Sequence, residues 1–149
     1  MNYVLRKAKS TDAIRIEELF TEMLKAVYHT DDAEGYETGY TDKFFSENED
    51  FICVAEYEND VVAFLSIEVY RDDNYIYLDD LSVAEGYRNK GIGTDLIRAA
   101  EKYAEEIGIE KIVLHVEKAN EGAYRLYSRL GFCADAFEGS RIHMSKSVK

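Results

Sequence analysis

The segment from Tyr75 to Val116 constrains the fold most, because it has the pattern of strand, glycine-containing loop, helix and strand. Tyr75 to Val83 is an apolar run typical of a strand, and Lys111 to Val116 is a second one. Between them, apolar residues recur at helical spacing as far as Ile107. Two strands joined through a helix require a crossover connection, so the sequence predicts that these two strands lie parallel in one sheet.

The rest of the chain predicts short strands joined mainly by polar turns, which favours antiparallel pairing. We therefore expect a mixed α/β fold in one domain spanning residues 1–149, with a mostly antiparallel central sheet, one parallel strand pair and about four flanking helices. The further predicted strands are Tyr3 to Ala8, Phe51 to Tyr57, Val61 to Tyr70, Phe132 to Phe137 and Arg141 to Ser147, and the further helices are residues 10–27, 42–45 and 123–130.

The charge of the chain excludes broad classes of partner. Its 18 Lys and Arg against 30 Asp and Glu give a net charge of -12, whereas nucleic acids and anionic membranes require extended basic surfaces. The N-terminus lacks a signal-like apolar stretch, and no apolar run approaches the roughly 20 residues of a membrane span. We expect a cytoplasmic protein that binds neither nucleic acid nor membrane.

Cysteine and histidine give no sign of a metal or redox site. Cys53 and Cys133 lie in apolar runs without CxxC spacing, so we expect two buried thiols. His29 and His143 have no partners at metal-ligand spacing, and His115, within an apolar strand, is expected to be a packed or hydrogen-bonded side chain. The sequence therefore calls for no metal.

The loop from Tyr87 to Thr94 is typical of an anion-binding site. Gly91 and Gly93 allow a tight turn and close approach of a ligand to the backbone, and N–H groups at the start of the following helix converge on an anion. Arg88 and Lys90 add positive charge in an otherwise acidic chain. An anionic cofactor is the simplest explanation, and an ordinary strand-to-helix turn is the alternative.

The neighbouring residues argue against two common phosphate loops. A nucleoside-triphosphate loop needs Lys followed by Ser or Thr where Ile92 and Gly93 stand. A dinucleotide fingerprint fits Gly91 and Gly93, with Glu117 at the end of the next strand, but Leu96 replaces its third small residue. Both interpretations are therefore weak.

Two segments together resemble the GCN5-related N-acetyltransferase (GNAT) superfamily. Leu81 to Leu96 is similar to that family's acyl-coenzyme A loop, and Asn120 to Phe132 resembles its Asn, helix, Tyr and Leu-Gly-Phe block. Ala84-Glu85-Gly86 departs from the pattern, because many relatives have a proline there. The predicted order of elements agrees with the family over nearly the whole chain. The resemblance implies transfer of an acetyl group from acetyl-CoA to a primary amine of a small molecule or peptide.

The resemblance also implies where acetyl-CoA binds. Its pyrophosphate is expected on the backbone amides of the glycine loop, and its pantetheine arm on the backbone of a strand that a bulge separates from its neighbour. Asn120 is expected to bind a pantetheine amide, with helix capping as the alternative. The expected cofactor-binding residues are Leu81, Val83, Arg88, Asn89, Lys90, Gly91, Ile92, Gly93, Thr94 and Asn120.

Two catalytic roles follow from the same resemblance. An alkylamine arrives mainly as ammonium at neutral pH, so a base must take its proton, and the departing thiolate needs an acid. Asp79 stands where many relatives carry a glutamate base, although it also suits a structural or amine-binding role. Asp80 is expected on the opposite face by strand alternation, in a structural role, although a bulge would disturb that parity. Tyr127 is the expected acid, with a core position as the alternative. Direct transfer in a ternary complex is favoured, because neither cysteine has an activating motif.

The acceptor itself is not specified by any motif. Tyr28, Asp31, Asp32 and Glu34 begin a stretch rich in carboxylates and aromatic rings, which together with Asp79 suits a cationic amine; a solvated acidic loop is the alternative. By analogy the terminal strands would support a homodimer. A fold that binds acyl-CoA without turnover, as a sensor or interaction module, is the alternative function.

Overall fold

The computed structural model describes residues 2–148. It consists of one seven-stranded sheet flanked by three α-helices and three short 3-10 helices, in the order that the sequence predicts. The short helix predicted at residues 42–45 is the 3-10 helix Tyr40–Phe45. The elements are β1 (Val4–Lys7), α1 (Ala13–Tyr28), β2 (Phe51–Tyr57), β3 (Asp60–Tyr70), β4 (Tyr75–Val83), α2 (Ile92–Glu106), β5 (Lys111–Glu117), α3 (Glu121–Arg129), β6 (Cys133–Glu138) and β7 (Arg141–Ser147).

The strand order is β1-β2-β3-β4-β5-β7-β6. β4 and β5 are parallel, as the crossover through α2 requires, and every other neighbouring pair is antiparallel. The predicted mixed α/β fold with one parallel strand pair is confirmed.

Helices cover both faces of the central strands. α2 buries Leu96 and Ile97 in a large core on one face, while α1 buries Ile16 and Leu19 in a smaller core on the other. The long strand β3 is buried along nearly its whole length, since both faces of it are covered. The central strands are therefore packed between two layers of helices.

The sheet opens between β4 and β5. Pairing of β3 with β4 passes from Leu65 opposite Leu81 to Ile67 opposite Leu78, so β4 carries an extra residue, a bulge at Asp79 and Asp80. Parallel pairing of β4 with β5 extends only to Leu78. Beyond that point, β4 has no strand partner on the β5 side, and the expected separation of the two strands is present.

The two cysteines differ in exposure. Cys53 is buried in β2, as expected, but Cys133 is exposed because it lies in β6, a strand at the edge of the sheet. No helix within residues 2–148 is long and apolar enough to cross a membrane. Within the same residues, no group of three or more His, Cys, Asp or Glu side chains is placed to hold a metal ion.

Candidate active site

The glycine loop adopts the conformation that its composition suggests. Gly91 caps the N-terminus of α2 with φ of 87°, and Asn89 is also left-handed with φ of 61°. Alternation of left- and right-handed residues points successive N–H groups into one concavity, and the first N–H groups of α2 have no acceptor within the helix. Gly93 has a different function: a Cβ there would lie 3.3 Å from the Leu126 side chain of α3.

A cleft of about 590 Å³ runs from this loop along the open edge of β4. Its walls are β4, the glycine loop, the C-terminal half of α1 and the N-terminus of α3. The structure brings nine of the ten expected cofactor residues to it, whereas Lys90 is exposed and does not line the cleft. The nine are Leu81, Val83, Arg88, Asn89, Gly91, Ile92, Gly93, Thr94 and Asn120.

The side chain of Arg88 is bound to the protein in this structure. Its Nε donates a hydrogen bond to the carbonyl of Val83 at 2.9 Å, and its guanidinium lies 3.5 Å from Glu22 of α1. The same Glu22 carboxylate accepts a hydrogen bond from the Glu85 N–H at 2.7 Å. Glu22, which the sequence analysis missed, therefore ties α1 to the start of the glycine loop.

A second cavity, of about 370 Å³, adjoins the first. The two share wall residues on α1, β4 and α3, including Val27, Leu81 and Asn120. The second cavity contains Asp79 and Tyr127, on which base and acid chemistry were expected to depend, and also Asp80. The long cleft and the compact polar cavity therefore adjoin each other along β4, where its pairing with β5 has ended.

Asp80 does not lie on the face expected from strand alternation. The bulge in β4 changes the parity of the strand, so Asp79 and Asp80 both line the second cavity. Asp79 accepts a hydrogen bond from the Tyr40 hydroxyl, and Asp80 accepts one from the Tyr36 hydroxyl at 2.7 Å. Tyr36 and Tyr40 are stacked on each other, with ring centroids 4.6 Å apart. Two tyrosines of the segment between α1 and β2 therefore hold the carboxyl pair in place.

Burial makes both carboxyl groups weaker acids than usual. It raises the pKa of Asp79, which the charge of Arg141 partly offsets. Burial together with the neighbouring charge of Asp79 raises the pKa of Asp80 to about 7, against the opposing hydrogen bond from Tyr36. Because the charge of Asp79 opposes ionisation of Asp80, the two groups titrate as a pair. Such a pair can accept a proton from an ammonium group.

Tyr127 has only 7% of its surface exposed, and its ring packs edge-on against Phe132 at 5.8 Å. Its hydroxyl makes no hydrogen bond to any residue between 2 and 148. Burial and the nearby charge of Asp80 raise the pKa of Tyr127, so the phenol keeps its proton at neutral pH. Tyr127 is a core side chain that also lines the second cavity, so a core position does not exclude the expected acid role.

Asn120 is the N-cap of α3. Its side-chain oxygen accepts a hydrogen bond from the Ala123 N–H at 3.2 Å, so the capping alternative is observed. Its amide N–H groups have no protein acceptor within residues 2–148, and the side chain lines both cavities. Capping orients this amide toward the cleft without consuming its donors.

The expected acceptor residues do not all meet. Tyr28 lines the second cavity, where burial and the charge of Glu117 raise its pKa. Asp31, Asp32 and Glu34 are exposed and lie outside that cavity, with Asp31 at a separate open groove beside α1. Their place in the sequence beside Tyr28 does not bring them to the site.

The second cavity has a polar wall that the sequence analysis did not assemble. Tyr77 of β4, His115 of β5 and Arg141 of β7 line it. The Tyr77 hydroxyl lies 2.8 Å from His115 Nδ1, and Arg141 donates to that hydroxyl at 3.2 Å. His115 is also 3.3 Å from Glu138, so the prediction of a hydrogen-bonded histidine is confirmed. Alternation along each strand could have suggested which face of the sheet each of these side chains occupies. Only the strand order shows that the three side chains are neighbours.

Comparison with known proteins agrees with this geometry. Residues 14–132 match the family described as acetyltransferase (GNAT) family. A protein named uncharacterized N-acetyltransferase YhfO, from Bacillus subtilis, is 30% identical over 136 residues, covering 88% of this chain and 90% of the relative.

Solved structures share the fold over essentially the whole chain. PaiA N-acetyltransferase from Thermoplasma acidophilum, solved with coenzyme A, superposes with a TM-score of 0.81 at 23% identity and 99% coverage of both chains. YncA from Salmonella typhimurium, described as a putative acetyltransferase with acetyl-CoA, has a TM-score of 0.78 at 19% identity, covering 100% of this chain and 95% of that one. The chain therefore belongs to the acetyltransferase (GNAT) family of acetyl-CoA-dependent N-acetyltransferases.

Proposed function

We propose that the long cleft binds acetyl-CoA and that the second cavity binds the acceptor, a primary amine of a small molecule or peptide. The observation that carries this proposal is the junction of the two cavities, where the open edge of β4 meets Tyr127 and the Asp79–Asp80 pair. The thioester of a donor bound along β4 would lie beside Tyr127 and the Asp79–Asp80 pair, which could exchange protons with the reacting groups. The solved relatives that contain coenzyme A or acetyl-CoA support this use of the cleft.

The donor would be held mainly by backbone groups. Its pyrophosphate would lie on the N–H groups of Arg88 to Thr94, where the N-terminus of α2 adds a favourable dipole. The pantetheine arm would pair with the unpartnered edge of β4 at Leu81 and Val83, and Asn120 would donate its free amide. Because Arg88 already binds the Val83 carbonyl, donor binding would displace its side chain toward the phosphates.

The reaction would proceed by direct attack. The acceptor ammonium would give a proton to the Asp79–Asp80 pair, and the free amine would attack the thioester carbon. A backbone N–H near Val83 would stabilise the oxyanion that forms. The intermediate would then collapse: the C–S bond breaks, Tyr127 protonates the thiolate, and the second proton lost by nitrogen returns to the tyrosine. One proton in total is released to solvent.

The cationic character of the reacting group follows from this scheme, because the carboxyl pair would meet it as ammonium. A cytoplasmic location is also part of the proposal: both cysteines are free, which suits a reducing compartment. So is a homodimer formed through the exposed edge strand β6, which size-exclusion chromatography with light scattering tests directly.

The test of the proposed mechanism is thiol release from acetyl-CoA with a panel of amines. Tyr127→Phe should lower kcat by about 10²-fold or more while acetyl-CoA still binds, since general acids contribute about 10²- to 10⁴-fold. Tyr124→Phe is the matched control, because Tyr124 lies on the same helix but lines neither cavity. Equal activity of the two variants would refute the role of Tyr127. Binding of acetyl-CoA without release for any amine would instead support a sensor.

A further inference from the structure

The side chain of Arg141 contributes a guanidinium group to the second cavity. It lies at the start of β7, is exposed to solvent, and lines the second cavity together with the carboxyl pair. Its guanidinium donates to the Tyr77 hydroxyl at 3.2 Å, and Tyr77 is in turn fixed by His115 at 2.8 Å. The hydrogen bond to Tyr77 restrains the guanidinium at the cavity wall.

Arg141 forms no ion pair with a carboxylate among residues 2–148, although two glutamates stand opposite it. Glu117 on β5 and Glu138 on β6 are its partners in strand register. Glu138 instead approaches His115 at 3.3 Å, and Glu117 interacts with Tyr28. The chain has 30 acidic and 18 basic residues, so a guanidinium without an ion pair is unusual. Because Arg141 also lines a cavity, its guanidinium is available for a ligand.

The carboxyl pair and Arg141 give the cavity groups of opposite charge. Asp79 and Asp80 lie at the bulge of β4, and Arg141 lies across β5 from them in the sheet order. Arg141 lines the same cavity as Asp79, Tyr77 and His115, and its positive charge partly opposes the burial that raises the pKa of Asp79. A ligand in the cavity therefore meets Asp79 and Asp80 from β4, and Arg141 from β7 with Glu117 of β5 beside it in register.

We propose that the acceptor is an amine that also carries an oxyanion, a carboxylate or a phosphate, with its amine at the Asp79–Asp80 pair and its oxyanion on Arg141. This inference rests on the proposed function and names its substrate class. Guanidinium matches the planar geometry of these oxyanions and binds them through paired, charge-assisted hydrogen bonds. A polyamine, by contrast, would place a second ammonium beside Arg141.

The experiment compares acceptors that differ only in the anion. Thiol release is measured with α-, β- and γ-amino acids, each beside its own amide, with an aminoalkyl phosphate beside the matching amino alcohol, and with a polyamine. The wild-type protein should prefer the anionic member of a pair in kcat/KM. In Arg141→Gln the ratio within that pair should fall by about 10- to 100-fold, as expected for loss of charged hydrogen bonds.

Two further variants separate charge from structure. Arg141→Lys keeps the charge but not the planar fork, so it should retain part of the preference. Arg98→Gln removes an exposed arginine of α2 that lines neither cavity, and it should leave the ratio unchanged. A preference carried by the phosphate pair, with the same loss in Arg141→Gln, supports the inference and identifies the oxyanion as phosphate.

The other outcomes overturn the inference in distinguishable ways. Acetylation of amides, amino alcohols or the polyamine as efficiently as of the anionic amines would refute the role of Arg141 and leave the proposed function standing. A preference that survives Arg141→Gln does the same. If no amine in the panel is acetylated, the proposed function fails and the inference fails with it.

Discussion

The substitution Asp80→Asn should stabilise the fold in a way that depends on pH. Asp80 is half-buried beside Asp79, and its carboxylate accepts a hydrogen bond from Tyr36. Asparagine has nearly the same shape, and its side-chain oxygen can still accept that hydrogen bond. The substitution therefore removes the charge at this position while preserving the packing.

The magnitude follows from the pKa of Asp80, which burial and the charge of Asp79 raise from 3.8 to about 7. Because the folded state binds this proton more tightly than the unfolded state, the associated stability is fully present below about pH 4 and is lost as pH rises through about 7. The whole difference corresponds to about 4 kcal/mol, at about 1.4 kcal/mol for each pH unit. Between pH 5 and pH 8 the loss is about 2 to 3 kcal/mol, which solvent access reduces to about 2.

The assay is urea unfolding of both proteins at several values from pH 5 to pH 8. The free energy of unfolding of Asp80→Asn minus that of wild type should be larger at pH 8 than at pH 5 by about 2 kcal/mol. Asp32→Asn is the control, because Asp32 is exposed in the loop and should show no such trend. A difference that stays constant with pH, or that falls as pH rises, would refute the view that burial of this charge destabilises the protein.

Two substitutions test the donor cleft. Gly91→Ala should weaken acetyl-CoA binding about 5- to 30-fold, measured by calorimetry. Alanine disfavours φ of 87° by about 1–2 kcal/mol, so the free loop relaxes and binding must restore the original conformation. Gly86→Ala, also at positive φ but outside the cleft, should leave the affinity unchanged, and equal losses would contradict the assignment. Asn120→Ser keeps an oxygen to cap α3, so Tm should hold while the KM for acetyl-CoA rises; Asn120→Ala should also lose about 1 kcal/mol of stability. An unchanged KM in Asn120→Ser would show that the amide binds no donor group.

Elements governed by local pattern were predictable from the sequence. β4, the glycine loop and α2 follow one another with clear apolar periodicity, and their boundaries agree with the structure within a few residues. Nine of the ten expected donor residues line one cleft because most belong to contiguous loop and helix positions. The parallel pairing of β4 with β5 followed from the crossover alone.

Features that depend on pairing between distant segments were not predictable in the same way. Strand alternation placed Asp80 on the wrong face, because the bulge that reverses it is visible only in the register between β3 and β4. The hydrogen bonds from Tyr36 and Tyr40 to the carboxyl pair span 44 and 39 residues. Asp31 and Asp32 were associated with the acceptor by their proximity to Tyr28 along the chain, and the path of the loop carries them away from the cavity.

The sequence by itself determined the family, because two short segments resemble it, and that resemblance also named Tyr127 as the expected acid. The glycine loop was predictable as an anion-binding site because its backbone conformation is set locally. Only the tertiary structure decided which side chains line the second cavity. One extra residue in β4 brings Asp79 and Asp80 into the same cavity, and the order of β4, β5 and β7 sets Tyr77, His115 and Arg141 side by side. Strand register and strand order depend on long-range pairing, so the second cavity forms only when the sheet is assembled.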